Sequence, residues 1–272
     1  MPLRIDIFTT FPELFDPALP GGVLNASIPA RARAAGLVDW HATNLRNFTT
    51  GRHQKTDDRP FGGGPGMVMM CQPVYDAVLA VEASDPRPAT RILLTPQGRL
   101  LDQRLAEDLA TKPRLLLIAG HYEGLDERVV DKLAPLEVSI GDYVLSGGEL
   151  GAMVLMDAVI RLIPGALGHE ESAAQDSFSV AQSYSGHPQT PRRDRIVVPP
   201  STRLLDCPHY TQPREWMGMA VPDVLLSGDH GAVARWRRRE SLRRTLAQRP
   251  DLLEQAALSD ADRRLLDELK QT

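Results

Sequence analysis

The residues best suited to chemistry in the first half of the chain lie in three polar turns, TPQG (95–98), GHYEG (120–124) and GDYVLSGGE (141–149). Each turn directly follows an apolar run of the kind that forms a buried strand. The turns combine glycines with the carboxylates of Glu123 and Asp142, and Arg161 lies within the otherwise apolar helical run 152–163 that follows the third turn. Brought together, these groups would suit a cationic, nucleoside-like ligand.

The same residues also have structural interpretations. Glu123 and Asp142 could cap the elements that follow them, and Arg161 could extend from its helix end towards solvent. Asp176, in the sequence QDSF, could cap a turn. The glycine loop FGGGPGM (61–67) lacks both the Gly-Lys-Ser/Thr of a P-loop and the third glycine of a dinucleotide fingerprint, which favours a plain loop.

Apolar strands alternate with helical patterns over the first part of the chain. Strands are predicted at 3–11, 37–45, 90–99, 114–124 and 136–145. Helices are predicted at 21–36, 72–84, 101–111, 124–134 and 150–163, whereas 52–70 is too polar and glycine-rich for an element. This alternation is typical of an α/β domain with a mostly parallel sheet. Such sheets bind ligands at the carboxyl ends of their strands, so we expect the three polar turns on one edge.

The pattern changes after Pro164. Residues 168–202 are rich in Ser, Gln, Pro and Gly, which predicts a flexible linker. We therefore predict an α/β cofactor-binding domain over 1–167, the linker over 168–202 and a small all-helical domain over 203–272.

Helix signals mark this last segment. Asp229 or Ser227 could cap a helix that stops near Pro250. Ser259 and Asp262 resemble a capping box for the final helix.

The basic residues are concentrated late in the chain. The formal net charge is −4, but residues 191–250 hold 12 arginines against 6 acids, which leaves −10 for the rest. On charge alone, an anionic partner such as nucleic acid and a solvated helix face are equally compatible.

The composition predicts a soluble protein of a reducing compartment. The chain has 272 residues, 42% hydrophobic and 24% charged, with no run of about 18 apolar residues and no signal-peptide pattern. We expect a cytoplasmic location and no membrane. Cys71 and Cys207 suggest no disulfide framework, and with His209 they make too few ligands for zinc, so no metal ligands are predicted.

Seven motifs together resemble one family. They are DDRPFGGGPGMVM, TPQGR, GHYEGLDERV, SIGDYVLSGGEL, GHEESAAQDSF, LLDCPHYTQP and VPDVLLSGDH. Their order and content resemble the bacterial tRNA (guanine-N(1))-methyltransferases, the TrmD family of the SPOUT superfamily. The resemblance covers residue 3 to about residue 265 apart from one spacer, although any single motif would be a weak signal.

The resemblance implies a deep trefoil knot at the end of the α/β domain, against the usual absence of knots. It also implies a homodimer with active sites shared between subunits, and S-adenosyl-L-methionine as the methyl donor. It leaves open whether Mg²⁺ takes part, and no protein ligands for that ion are predicted. The implied cofactor-binding residues are Thr95, Pro96, Gly98, Gly120, Tyr122, Glu123, Gly124, Ser139, Ile140, Gly141, Tyr143, Leu145, Gly147 and Gly148.

The implied reaction methylates N(1) of the guanine immediately 3′ of the anticodon in tRNA. That nitrogen must lose its proton as the methyl arrives, and Asp176 matches the family's general base. Negative charge then grows on the guanine carbonyl oxygen. Arg161 matches the family's arginine, which would stabilise that charge.

The implied RNA partner is the tRNA anticodon stem-loop, held in part by the C-terminal helical domain. In the glycine-rich segment the candidate RNA-binding residues are Asp58, Gly64 and Gly66. In the basic segment they are Arg235, Arg237, Arg238, Arg239, Arg243 and Arg244.

Three features depart from the family pattern. His121 stands where the family usually has arginine, and Gly151 where many relatives have proline. The spacer 179–203 is long and carries Arg192, Arg193 and Arg195, which could add RNA contacts or be tolerated slack. Alternative functions are a related SPOUT RNA methyltransferase acting on another base, and a catalytically decayed RNA-binding module.

Overall fold

The computed structural model describes residues 1–168, 176–179 and 203–271. These residues form two compact units, which divide after Gly168. Most of the predicted linker over 168–202 lies outside the described residues, and so do the arginines of the spacer at 192, 193 and 195.

The first unit is built on a parallel sheet of five strands in the order β2-β1-β6-β5-β7. These strands are β1 (Leu3–Thr9), β2 (Val38–Asn44), β5 (Thr90–Leu100), β6 (Arg114–Ala119) and β7 (Leu136–Ser139). The predicted α/β class with a mostly parallel sheet is therefore confirmed. Two further strands, β3 (Asp57–Asp58) and β4 (Val68–Met69), form an antiparallel ladder in the segment predicted to hold no element.

Helices cover both faces of this sheet. They are α1 (Ser27–Ala34), α2 (Cys71–Ala83), α3 (Gln103–Ala110), α4 (Glu127–Leu133) and α5 (Glu149–Ile160). Short 3₁₀ turns occupy Pro12–Phe15, Val23–Asn25 and Leu45–Phe48.

The central strand β6 shows why the sheet is apolar throughout. All six of its residues are buried. Leu115 and Leu117 pack in the core formed with α1, α3 and α5, whereas Leu116 and Ile118 pack with α2 and α4. A strand covered on both faces needs continuous rather than alternating hydrophobicity, and RLLLIA supplies it.

The strands end differently from the prediction. β6 stops at Ala119 and β7 at Ser139, because positive φ angles at Tyr122, Gly124 and Gly141 turn the chain away from extended geometry. The predicted turn at 95–98 is instead a bulge inside β5, whose pairing with β7 is interrupted between Leu94 and Arg99.

A buried ion pair anchors the opposite end of the sheet. The guanidinium of Arg114 is fully buried and donates to Asp6 Oδ2 at 2.8 Å. It also donates to the backbone carbonyls of Val81, Glu82 and Asp85 at the end of α2. Burying this charge is tolerated because its donors meet acceptors, so we assign Arg114 a structural role.

Within its described residues, the second unit contains helices and one short hairpin. The helices are α6 (Asp223–Leu226), α7 (His230–Gln248), α8 (Pro250–Gln255) and α9 (Asp260–Lys270). The hairpin pairs β8 (Glu215–Trp216) with β9 (Met219–Ala220), so the expectation of an all-helical segment omits it.

Capping in the second unit follows the sequence signals. Asp229 caps α7 by accepting from the amide of Ala232, and the capping box of Ser259 and Asp262 is present. None of the helices in the described ranges combines the length and apolar character that crossing a membrane requires.

Candidate active site

A cavity of about 340 Å³ opens at the carboxyl edge of the parallel sheet. The three polar turns form most of its wall, which confirms the prediction that they lie on one edge. Every predicted cofactor-binding residue except Gly98 lines this cavity. Gly98 sits in the β5 bulge, where a Cβ would lie 2.7 Å from the Val138 carbonyl carbon, so its role is to let β5 and β7 cross closely.

Positions 147 and 148, just before α5, hold glycine because protein atoms occupy the space that a side chain would need. A Cβ on Gly148 would lie 2.8 Å from Ala119 Cα, and the Gly148 amide donates to the Gly120 carbonyl at 2.7 Å. A Cβ on Gly147 would overlap the imidazole of His121 and the carboxylate of Glu149. These contacts give both glycines a steric reason within the chain itself.

Aromatic and aliphatic side chains stand at the cavity mouth. Tyr122, Tyr143 and Val144 are exposed and line the cavity. Tyr122 holds a φ of 62°, a left-handed conformation that is rare for a residue other than glycine. Such strain persists only where surrounding structure imposes it, and it is common at binding sites.

The glycine loop is fixed to the GHYEG turn at one end. The Glu123 amide donates to the Met67 carbonyl at 3.0 Å, and the Met69 amide donates to the Gly124 carbonyl at 2.9 Å. A Cβ on Gly66 would overlap the Glu123 side chain. The loop base therefore lies beside the cavity, a proximity that the plain-loop interpretation missed.

The other two RNA candidates of this segment lie open to solvent. Asp58 is exposed, and the amide of Arg59 and the ammonium of Lys55 hold the pKa of its carboxyl below the usual range. A Cβ on Gly64 would meet nothing within 4 Å, but its φ of 119° favours glycine.

Arg161 lies far from the cavity of its own chain. Helix α5 begins at the cavity with Glu149, and Arg161 follows its last residue. The helix has 12 residues, a length of about 18 Å at 1.5 Å per residue. The structure therefore does not bring Arg161 to the sheet edge where the polar turns meet.

Asp176 belongs to the second unit, in a short segment tied to residues 203–206. The Phe178 amide donates to the Leu204 carbonyl at 2.9 Å, and the Asp206 amide donates to Ser177 Oγ at 2.9 Å. Asp176 itself is half-buried, and its carbonyl accepts from the Ser179 amide. The QDSF motif is thus held by the LLDCPH motif, through contacts that span 26 and 29 residues of the chain.

Arg238 corrects the predicted RNA-binding set. Its guanidinium is buried and makes two hydrogen bonds to the Asp262 carboxylate, at 2.7 and 2.9 Å. Burial opposes ionisation of Asp262, but the bonds and charge of Arg238 outweigh it and lower the pKa of that carboxyl. Arg238 joins α7 to α9 and cannot reach a phosphate.

The other predicted arginines of α7 remain at least partly exposed. Arg235, Arg239 and Arg243 are spaced four residues apart, so they share one side of the helix. Arg243 pairs with Glu240, and Arg244 donates to the Asp206 carbonyl at 3.2 Å.

A second cavity, of about 300 Å³, lies beside α7. Its lining includes Arg237, which was predicted, together with Arg214, His209 and Tyr210, which were not. The mixture of basic and aromatic residues in PHYTQPR was the available signal, because aromatic rings and arginines are a common pairing at RNA-binding surfaces.

Cys207 lies close to two other potential metal ligands. Side-chain donor atoms of Asp206, Cys207 and His209 all fall within 4.8 Å of one another. Burial raises the pKa of the Cys207 thiol to about 11, so this sulfur is protonated at neutral pH. Since the thiolate is the ligating form, the group is poorly suited to a metal.

Comparison with known proteins identifies the family. The profile described as "tRNA (Guanine-1)-methyltransferase TrmD" matches residues 3–255. A protein of Chloroflexus aurantiacus named tRNA (guanine-N(1)-)-methyltransferase is 50% identical over 98% of this chain and 96% of its own length. Proteins of the same name from Xylella fastidiosa and Brevibacillus brevis are 48% and 49% identical, over 99% of this chain and over 94% and 99% of their own lengths. The chain belongs to the TrmD family of tRNA (guanine-1)-methyltransferases.

Proposed function

We propose that this protein methylates N(1) of the guanine immediately 3′ of the anticodon in tRNA, with S-adenosylmethionine as methyl donor. The observation that carries the proposal is the convergence of three glycine-rich turns on one cavity in a chain of this family.

The cavity suits the proposed cofactor. Its volume of about 340 Å³ falls within the range of small-molecule sites. Backbone groups of 139–141 and 120–124 would hold the nucleoside part, with Tyr143 and Leu145 as apolar cover. The exposed carboxylate of Glu123 would favour a cationic ligand. S-adenosylmethionine supplies an electrophilic methyl group on a sulfonium.

Asp176 would take the proton that leaves guanine N(1). A carboxylate within hydrogen-bond reach is suited to this step, because the proton must depart as the methyl bond forms. The bonds that tie 177–178 to 204–206 would keep the Asp176 backbone in place during transfer.

Arg161 would stabilise charge on the guanine carbonyl oxygen from a second copy of the chain. Within one chain the length of α5 separates Arg161 from the cavity. A symmetric dimer could place the Arg161 of one protomer at the cavity of its partner. This separation supports a homodimer with shared active sites.

The same proposal assigns three parts to the chain: a knotted cofactor-binding domain over 1–167, a linker over 168–202 and a tRNA-binding domain over 203–272. The division after Gly168 supports the first boundary. The knot is proposed from membership of the family.

The exposed arginines of α7 would contact RNA phosphates. Arg235→Gln combined with Arg239→Gln is expected to reduce the slope of log Kd against log salt by roughly 1.5, since each lost phosphate contact removes about 0.7–0.9. The measurement is tRNA binding by fluorescence anisotropy between low and moderate salt.

A control variant removes the same charge elsewhere. Arg31→Gln with Arg104→Gln alters exposed positions on α1 and α3 of the first unit. We expect this control to keep the slope of the unaltered protein. Equal slopes of log Kd against log salt in both variants would mean that the α7 arginines face solvent without contacting RNA.

The proposed function is tested with the full chain, methyl-labelled S-adenosylmethionine and unmodified tRNA. After nuclease digestion, the label is expected on 1-methylguanosine. Label on another nucleoside would favour a related RNA methyltransferase, and no label would favour a binding module without activity.

A further inference from the structure

We propose that His121 and Glu149 form a positioning pair that holds two cofactor-binding turns together and thereby sets the affinity for the cofactor. The inference rests on the proposed function, because it assumes that the cavity binds S-adenosylmethionine. Neither side chain is among the predicted cofactor-binding residues. His121 acts through the turn on which it lies, and Glu149 through the double glycine that precedes it.

Glu149 is a buried carboxylate with two side-chain partners. Its Oε1 accepts a hydrogen bond of 2.5 Å from Thr9 Oγ1 at the end of β1, and its Oε2 lies 2.8 Å from His121 Nε2. Only 5% of the Glu149 side chain is exposed. An ionised carboxylate accepts but cannot donate, so the imidazole donates its Nε2 hydrogen.

The pair spans the contact between the second and third polar turns. His121 follows Gly120, and an isolated antiparallel bridge joins His121 to Gly147. The Gly148 amide donates to the Gly120 carbonyl at 2.7 Å. His121, Gly147 and Gly148 all line the cavity, so the side-chain pair lies directly behind the wall that a ligand would touch.

The glycine at position 147 is explained by the same pair. A Cβ there would overlap His121 Nε2 and Glu149 Oε2. The imidazole ring centre lies 4.9 Å from that of Phe11, and the His121 backbone amide donates to Met69 Sδ at 3.2 Å. The His121 side chain is therefore held in one position, which is what a positioning residue requires.

Removing the imidazole would leave the buried carboxylate with Thr9 as its only side-chain donor among the described residues. A desolvated charge in that state draws in water or moves towards solvent, and either change would shift the turn that carries it. Removing the Thr9 hydroxyl also costs the carboxylate a donor and releases the Phe11 amide, but it leaves the bond between His121 and Glu149 in place.

The test compares two variants that remove different donors to the same carboxylate. His121→Leu is expected to weaken binding of S-adenosylhomocysteine about tenfold by calorimetry, because a charge-assisted hydrogen bond in the cavity wall is lost. Thr9→Val, a control of similar shape outside the cavity, removes a hydrogen bond to a buried acceptor and is expected to lower the melting temperature while keeping Kd within about twofold of the unaltered protein.

Two further variants separate positioning from folding. His121→Arg places a charged N–H donor beside the carboxylate and is expected to bind within about threefold of the unaltered protein. His121→Gln, with a neutral donor, should lie between His121→Leu and His121→Arg, and it replaces His121→Leu if that variant does not fold.

Unchanged affinity in His121→Leu would overturn the inference. It would also be overturned if His121→Leu and Thr9→Val each lost affinity in proportion to the drop in melting temperature. Failure of the unaltered protein to bind S-adenosylhomocysteine would instead overturn the proposed function itself.

Discussion

Asp176→Asn is expected to lower methyl transfer to tRNA by a factor of about 10²–10⁴, the usual contribution of a general base. Asparagine has nearly the shape of aspartate but cannot take the proton from guanine N(1). Affinity for S-adenosylhomocysteine should stay within about twofold, because the cavity is built from residues of the first unit, whereas Asp176 belongs to the second. Single-turnover methyl transfer and calorimetry measure the two effects separately.

Asp206→Asn is the matched control for this variant. Asp206 lies in the same packed segment, and its carboxylate accepts from the Cys207 amide and contacts His209. Changing it loosens the segment without removing the proposed base, so we expect a loss of less than about tenfold. Full turnover in Asp176→Asn, or equal losses in both variants, would assign the proton to another group.

Gly148→Val is expected to weaken cofactor binding by about 100-fold. The new Cβ would lie 2.8 Å from Ala119 Cα and 3.0 Å from the Gly120 nitrogen, and these backbone atoms cannot rotate away. Relief requires the two turns to separate, which also breaks the 2.7 Å bond from Gly148 to Gly120. Overpacking of this kind costs about 3 kcal/mol at its upper range, and here the cost falls on the cavity wall.

Gly168→Val is the control for Gly148→Val. A Cβ on Gly168 would meet nothing within 4 Å, so valine fits there without strain. Calorimetry with S-adenosylhomocysteine gives the affinity of both variants, and circular dichroism shows whether each is folded. A folded Gly148→Val protein with normal affinity would show that cofactor binding does not depend on glycine at position 148.

The sheet edge could be predicted from sequence because it depends on local patterns. A short apolar run such as RLLLIA, bounded by turn residues, favours a strand covered on both faces, and alternation with helices favours parallel strands. Once the strands are parallel, the turns that follow them must meet at one edge. The cavity wall therefore follows from three short segments and one topological rule.

The roles of individual residues, unlike the position of the sheet edge, depend on contacts between distant parts of the chain. Gly147 is explained by His121, which lies 26 residues earlier, and Arg238 is buried by Asp262, which lies 24 residues later. Arg238 lies four residues from each of the buried residues Ala234 and Leu242, so helical spacing places it on the buried face of α7, but its pairing with Asp262 has no local signal. Such pairings are set by how elements pack, which a single sequence does not encode locally.

The distance of Arg161 from the polar turns could be predicted from the sequence. A helix that starts at the cavity and runs for 12 residues must carry its last residue about 18 Å away. The predicted length of α5 therefore already separates Arg161 from the turns of its own chain.

The most direct test of the proposed function is methyl transfer from labelled S-adenosylmethionine to two tRNA transcripts that differ at one base. One transcript carries guanine immediately 3′ of the anticodon, and the other carries adenine there. We predict label in the first transcript and none in the second. Equal labelling of both transcripts, or labelling of neither, would contradict the account.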